Sequence, residues 1–403
     1  MKYFLSISLL VALTLVGMWF YTKKTYPLTP QQQSLQYFLS HLIHPHAKLD
    51  KHVMGFLPYW RVDDSASIKP ELLSEVNFFS ISPDADGSIR RETNGQTEPG
   101  WREWNTQAVK DLQTRTQIMG AKFTLTLMSG ENDVIESILE NPEAQTTLIN
   151  ELLTQVQSRT LDGINIDFEY SGEPDASEQK AFTAFSQKLA RQLKLANPDT
   201  TLSLSIMPRA ARDPSLFEFA KLAPVYDRFI GMSYDYYGRN SDIAGPIAPM
   251  SGYKDNKYFF DVKTTYEDYE KYLPKEKLIM GVPYYGWNWP VVDGKTINSK
   301  SLFQTDANQE PTLNSYSLTR TDKHIKPNQC KWDDIAEETW CWYTDSDAID
   351  HQVWIADDKS TAIRFDYANK QQFGGIGIWI LTYDKGYNNL WDMIKTKFTS
   401  QGK

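Results

Sequence analysis

Residues 161–170 read Leu161-Asp162-Gly163-Ile164-Asn165-Ile166-Asp167-Phe168-Glu169-Tyr170, and within them Asn165, Asp167 and Glu169 alternate with Ile164, Ile166 and Phe168. A period of two is the signature of a strand. One face carries the apolar trio into a packed layer, and the other aligns an amide and two carboxyls, successive side chains standing roughly 6.5 Å apart along the strand. Two carboxyls at that spacing interact, so the second proton is harder to remove, and apolar surroundings act in the same direction. A carboxyl that keeps its proton near neutrality is what a general acid requires.

Working outward, short apolar runs at 53–60, 76–82 and 122–128 predict three strands before this one, and runs at 201–207, 228–234, 277–284 and 375–380 predict four after it. Helical stretches lie between them. Asn141-Pro142 caps one that continues to Gln155, with proline at the position where its missing N–H costs nothing, and another runs near 178–196. Eight strands alternating with helices, without the G-x-G-x-x-G of a dinucleotide fold, predict an α/β protein of the (β/α)₈ or TIM-barrel type occupying residues 51–403. In such a barrel the chemistry sits at the C-terminal ends of the strands. The interval between the seventh and eighth strands is too long for a loop and contains strand-like pieces at 339–343 and 351–355. It predicts a small, mainly β (α+β) insertion over about 288–358, with a helix at 359–372 leading back to the barrel.

The chain has 403 residues, a net charge of -9, and 23% charged residues without a long basic run, which argues against nucleic acid as a partner. Aromatic residues make up 13%, including 12 Trp and 22 Tyr, a supply of flat faces on which sugar rings stack. Residues 4–20 are apolar apart from Ser, Thr and Gly, preceded by Lys2 and followed by Lys23-Lys24. No A-x-A-like cleavage site follows, so residues 1–24 read as an uncleaved signal anchor, with a cleaved signal peptide as the alternative. The body is then expected outside the cytoplasm. Residues 25–50 form a tether in which Leu35, Phe38, Leu39, Leu42 and Ile43 fall at helical spacing. His41, His44 and His46 cluster there, but Pro45 holds His44 extended and no metal is expected. Cys330 and Cys341 flank a segment able to turn a hairpin, and in an exported protein they are expected to pair.

The run Asp162-Gly163-Ile164-Asn165-Ile166-Asp167-Phe168-Glu169 resembles the D-G-x-D-x-D-x-E signature of family-18 glycoside hydrolases, the chitinases and related N-acetylglucosaminidases. Asn165 is the one departure, standing where the signature has its second Asp. Met232-Ser233-Tyr234-Asp235 is similar to the family's M-x-Y-D, Gly281 to Gly286 to its G-x-P-x-Y-G, and Trp379 to the tryptophan that floors its sugar site. Residues 55–60 fit the first strand loosely, and the third-strand S-x-G-G is reduced to Met128-Ser129-Gly130, as in the spore-cortex-lysin and chitobiase-like branch.

The resemblance implies a substrate-assisted retaining mechanism without a cofactor. Glu169 is then the proton donor. Asp167 holds the acetamide N–H of the sugar, Tyr234 donates to the acetamide oxygen, and Asp235 and Trp379 contact the sugar. Asn165, Tyr59, Met232 and Tyr285 complete the expected substrate-binding set, Asn165 also being expected to hydrogen-bond Asp167. The implied partner is a carbohydrate containing N-acetylglucosamine, in chitin-like oligosaccharides or peptidoglycan, bound by a monomer that meets the membrane only through its N-terminal segment. Two other readings compete: a non-catalytic chitinase-like binding protein, disfavoured by the intact Glu169, and a barrel hydrolase using Asn165, Asp167, Glu169 and Asp235 as oxygen ligands for Mg²⁺ or Ca²⁺.

Overall fold

The structure is a computed structural model that describes residues 48–400; the apolar N-terminal run, most of the tether and its three histidines lie outside them. Among the described residues no helix is long and apolar enough to cross a membrane. In chain order the strands are β1 (His52–Pro58), β2 (Glu75–Ile81), β3 (Glu92–Thr93), β4 (Gln96–Thr97), β5 (Lys122–Ser129), β6 (Gly163–Phe168), β7 (Thr201–Ile206), β8 (Arg228–Gly231), β9 (Leu278–Pro283), β10 (Tyr285–Val291), β11 (Thr312–Ser315), β12 (Cys330–Asp333), β13 (Glu338–Thr344), β14 (Asp350–Ile355) and β15 (Gly375–Trp379). Eight of them close a barrel in the order β1-β15-β9-β8-β7-β6-β5-β2. All neighbours in it are parallel. The expected (β/α)₈ barrel is present, and β6 is its fourth strand.

The alternation in β6 determines which side of that strand the chemistry faces. Ile164, Ile166 and Phe168 are buried on the outside, where the Phe168 ring lies 6.1 Å from Phe182 and 6.3 Å from Phe185 on the helix Ala176–Ala196. That helix is started by a capping box between Asp175 and Glu178. Asn165 and Asp167 therefore point into the barrel. Its interior is divided: Met54, Phe56, Phe79, Ile230 and Ile279 form an apolar half beneath Trp379, while Asn77, Thr124, Thr126, Asn165, Ser203 and Ser205 are buried together in a polar half.

The second sheet is antiparallel, in the order β11-β10-β14-β13-β12. It starts earlier than its expected boundary near residue 288, because β10 opens at Tyr285, directly after the last turn of the barrel's seventh strand. Gly286 lets β10 pack closely against β14, since a Cβ there would lie 1.8 Å from the Trp354 carbonyl oxygen. Cys330 and Cys341 face each other across the β12–β13 hairpin and are joined by a disulfide. Glu338 of β13 is completely buried, accepts from the backbone N–H groups of Ile247 (3.0 Å) and Ala248 (2.8 Å), and pairs with Arg364 on the helix Asp358–Gln371. This tie fixes the insertion to the barrel. Helices Pro99–Trp104, Gln107–Ile118, Asn132–Glu140, Val262–Tyr269 and Asn389–Phe398 are additions to the sequence reading.

Candidate active site

β6 ends by delivering two carboxyls at two depths. Asp167 is 2% exposed, whereas Glu169, just past the strand end and held by its N–H to the Ser129 carbonyl (2.9 Å), reaches the open cleft. Tyr170 then donates to Glu136 (2.6 Å), with Glu178 3.1 Å away, which anchors the chain after the acid.

Strand β8 brings the next group. Beyond Gly231, Ser233 donates to the Gly281 carbonyl at 2.8 Å and ties the end of this strand to β9. Tyr234 follows, and Asp235 takes φ +53°, a left-handed turn that Asp tolerates better than most residues. Its carboxyl accepts from Tyr285 Oη and from Trp287 Nε1, both at 2.8 Å. The Tyr234 ring lies parallel to Trp379, with centroids 6.0 Å apart and planes 10° apart. Trp379 is in turn backed by Phe79 (4.8 Å) and Phe56 (5.7 Å). Its peptide bond to Ile380 is cis. A cavity of about 270 Å³ beside these groups is lined by Glu169, Met232, Tyr234 and Asp235 and walled by Met207 and Phe259.

The electrostatics favour retained protons. Desolvation first, and the Glu169 charge second, push the Asp167 carboxyl far above its ordinary value, and one of its oxygens, Oδ1, is buried without a hydrogen-bond partner. Desolvation and then Asp235 raise Glu169. Asp235, though open on one side, is itself raised by desolvation against the opposing hydrogen bonds of Trp287 and Tyr285. Burial raises the Tyr234 phenol too, with Asp167, Glu169 and Asp235 adding to it, so it stays a donor. Three carboxyls converging on one cleft cannot all ionise cheaply, which favours retention of a proton there.

Several expected residues occupy different roles. Asn165 is fully buried one layer below the cleft, donating to Ser205 Oγ (3.0 Å) and Thr126 Oγ1 (3.3 Å) and accepting from Ser203 (3.0 Å). With both N–H bonds and its carbonyl engaged there, it makes no hydrogen bond to Asp167 and has no surface open to the cleft. The same engagement removes it from the oxygen-ligand set of the metal reading, and among the described residues no group of three or more His, Cys, Asp or Glu is placed to hold a metal ion. Tyr285 is 1% exposed and supports Asp235 from behind. Tyr59 stands at the start of a 3₁₀ turn, where the strand alternation ends, and is raised by burial and then by Glu98. Its neighbour Trp60, 50% exposed, is the residue that reaches Phe79 (6.1 Å) and so extends the aromatic floor. Met232 lines the cavity. Trp287, Met207, Phe259 and Trp60 were not singled out by the sequence, although Gly286-Trp287 directly continues a quoted motif.

Against this geometry, the comparisons with known proteins are consistent. The chain is similar to the putative sporulation-specific glycosylase YdhD of Bacillus subtilis (strain 168), with 24% identity over 315 residues covering 77% of this chain and 66% of that protein, just under two-thirds of its length. Among solved structures it is similar to the Ostrinia furnacalis Group IV chitinase in complex with allosamidin (TM-score 0.71, 18% identity, 86% of this chain and 98% of that one). It is also similar to the Bacillus cereus spore cortex-lytic enzyme SleL (TM-score 0.64, 17% identity, 87% and 74%). Residues 18–384 match glycosyl hydrolases family 18, a span that takes in all eight barrel strands and both carboxyls of β6, and the chain belongs to that family.

Proposed function

We propose that this protein hydrolyses β-linked N-acetylglucosamine, in chitin-like oligosaccharides or peptidoglycan, by substrate-assisted retaining catalysis. The observation that carries the reading is the pair Asp167 and Glu169: an accessible acid above a buried carboxyl with an unpartnered oxygen, both raised. An ordinary retaining glycosidase sets a nucleophilic carboxylate about 5–5.5 Å from the acid, under the sugar. Asp167 lies on β6, below Glu169 just past the strand's end, and Asp235 is held by Tyr285 and Trp287. The nucleophile is then the sugar's own acetamide oxygen.

In the first step that oxygen bonds to the anomeric carbon while the glycosidic C–O bond breaks and Glu169 gives its proton to the leaving oxygen. In the second, the Glu169 carboxylate takes a proton from water, which attacks the anomeric carbon and reopens the oxazolinium ring. Asp167 Oδ1 accepts the acetamide N–H and so orients the acetamide for attack. Tyr234 orients the acetamide oxygen, and Trp379 supplies the apolar floor on which the sugar sits. The disulfide and the apolar run at 4–20 support an extracytoplasmic, anchored body.

The test is Glu169→Gln, with products identified by mass spectrometry after incubation with chitooligosaccharides and with purified peptidoglycan. Hydrolysis should fall by about 10²–10⁴-fold or more, with binding retained. A thiazoline analogue of N-acetylglucosamine should inhibit the wild type. Wild-type rates from the variant, or a covalent glycosyl-enzyme trapped with a fluorosugar, would sink the proposal.

A further inference from the structure

The departure from the family signature at Asn165 has an explanation in the polar half of the barrel interior. At its base, Glu75 is 2% exposed and meets His52 Nε2 (3.1 Å), the Arg228 guanidinium (3.8 Å) and the Thr124 hydroxyl (2.6 Å). Facing a donor set that includes a guanidinium, Glu75 acts as an ionised acceptor. Thr124 must then donate to it. Since a hydroxyl has one proton, the lone pair of Thr124 faces Asn77, which must present its N–H group (Nδ2 to Oγ1, 2.8 Å). The Asn77 carbonyl is left to accept from Thr126 (2.5 Å), and Thr126, its proton used, can only accept from residue 165 (3.3 Å). The direction of every bond in this file follows from the charge at its foot. Residue 165 is therefore required to be a donor, which Asn satisfies and an ionised Asp does not.

We propose that Glu75, Thr124, Asn77 and Thr126 are positioning residues for the catalytic pair: their one-way hydrogen-bond file sets the Asn165 amide downward, so that no donor from below reaches Asp167 and its free oxygen is reserved for the acetamide of the substrate. The inference rests on the function proposed above for Asp167. It also disfavours an ionised acid at 165, because the carboxylate would face the lone pair of Thr126.

The test compares Asn165→Asp, Glu75→Gln and the double variant in the full chain. A carboxyl introduced at 165 also faces Asp167 and Glu169 from its own strand, with Glu75 and its partners His52 and Arg228 below and Tyr234 and Asp235 above. Its folded pKa is then raised. The Tm deficit of Asn165→Asp should widen as pH rises from about 4 to about 8, because the unfolded carboxyl ionises near 3.9 and the folded one does not. Its kcat should fall by about tenfold or more with KM little changed, a loss within the range for misplaced catalytic groups. Glu75→Gln can donate at the foot of the file and let every bond reverse, ending with Thr126 donating to the new carboxylate. The double variant should recover at least half of the Tm deficit and of the kcat loss.

Penalties that simply add in the double variant, or an Asn165→Asp protein as stable and active as wild type at every pH, would overturn the inference. If Asn165→Asp does not fold, Thr126→Val and Thr126→Ser replace it: the first removes the hydroxyl relay and should lower kcat about tenfold, and the second keeps it and should remain within about twofold. Equal effects would also overturn it. The Tm arm uses no substrate. Coupling seen there in a protein that hydrolyses no N-acetylglucosamine glycan would refute the proposed function and leave the file intact.

Discussion

Replacing Tyr234 by Phe isolates one atom of the proposed mechanism. The contacts that place this residue are made by its ring: Trp379 lies parallel at 6.0 Å, Tyr285 meets it at 6.4 Å and 68°, and Gly281 leaves room where a Cβ would stand 3.0 Å from Tyr234 Cε1. A phenyl ring therefore occupies the same place. The hydroxyl has no hydrogen-bond partner among the described residues, so its removal orphans nothing and should change stability by less than about 1 kcal/mol. In the reaction, by contrast, it is a preorganised donor in a desolvated cleft, and losing one such donor costs about 2.7–4 kcal/mol, or 10²–10³ in kcat. Steady-state hydrolysis of a chitooligosaccharide bearing a chromogenic leaving group, measured beside a thermal melt, reads both quantities. A kcat within about twofold of wild type would show that Tyr234 is only a rim aromatic. A kcat loss matched by a large drop in Tm would mean that the ring, rather than the hydroxyl, is what matters.

Asp167→Asn should separate stability from function. The folded pKa of Asp167 is raised, so the stability linked to its proton is complete below about 3.9 and is lost as pH rises through the folded value. The variant should match wild type in acid, gain in Tm toward alkaline pH and lose turnover; a Tm difference independent of pH would contradict the assignment. Arg364→Met should cost about 3–5 kcal/mol, because it leaves the buried Glu338 carboxylate with only two backbone donors. Adding Glu338→Gln, which removes the unpaired charge while its amide oxygen can still accept from the Ile247 and Ala248 N–H groups, should restore much of that loss in denaturant titrations, and a single-variant loss under about 1 kcal/mol would refute the role given to the pair.

The barrel was legible because short apolar runs, the period-two alternation at 161–170 and the helical stretches between the runs are local properties, and a parallel strand between two layers has few other places to go. The quoted decapeptide was enough to place Asp167 and Glu169 on one face, and the two cysteines flanking a turn were enough to pair them. Short helices such as Val262–Tyr269 escaped because their stability comes from packing on the barrel, with Val262, Thr265, Tyr266 and Tyr269 all buried, and little of it from their own sequence. What Asn165 does depends on residues 75, 77, 124, 126, 203 and 205 meeting in one interior, and neither the order nor the direction of those contacts can be read along the chain. The same holds for the choice of Trp60 over Tyr59 and for Tyr285 standing behind Asp235, since a one-residue change where a strand ends rotates a side chain from one surface to another. Sequence alone specified the chemistry available on β6; closure of the barrel decided which of those groups are desolvated, which are paired, and which are left free to meet a substrate.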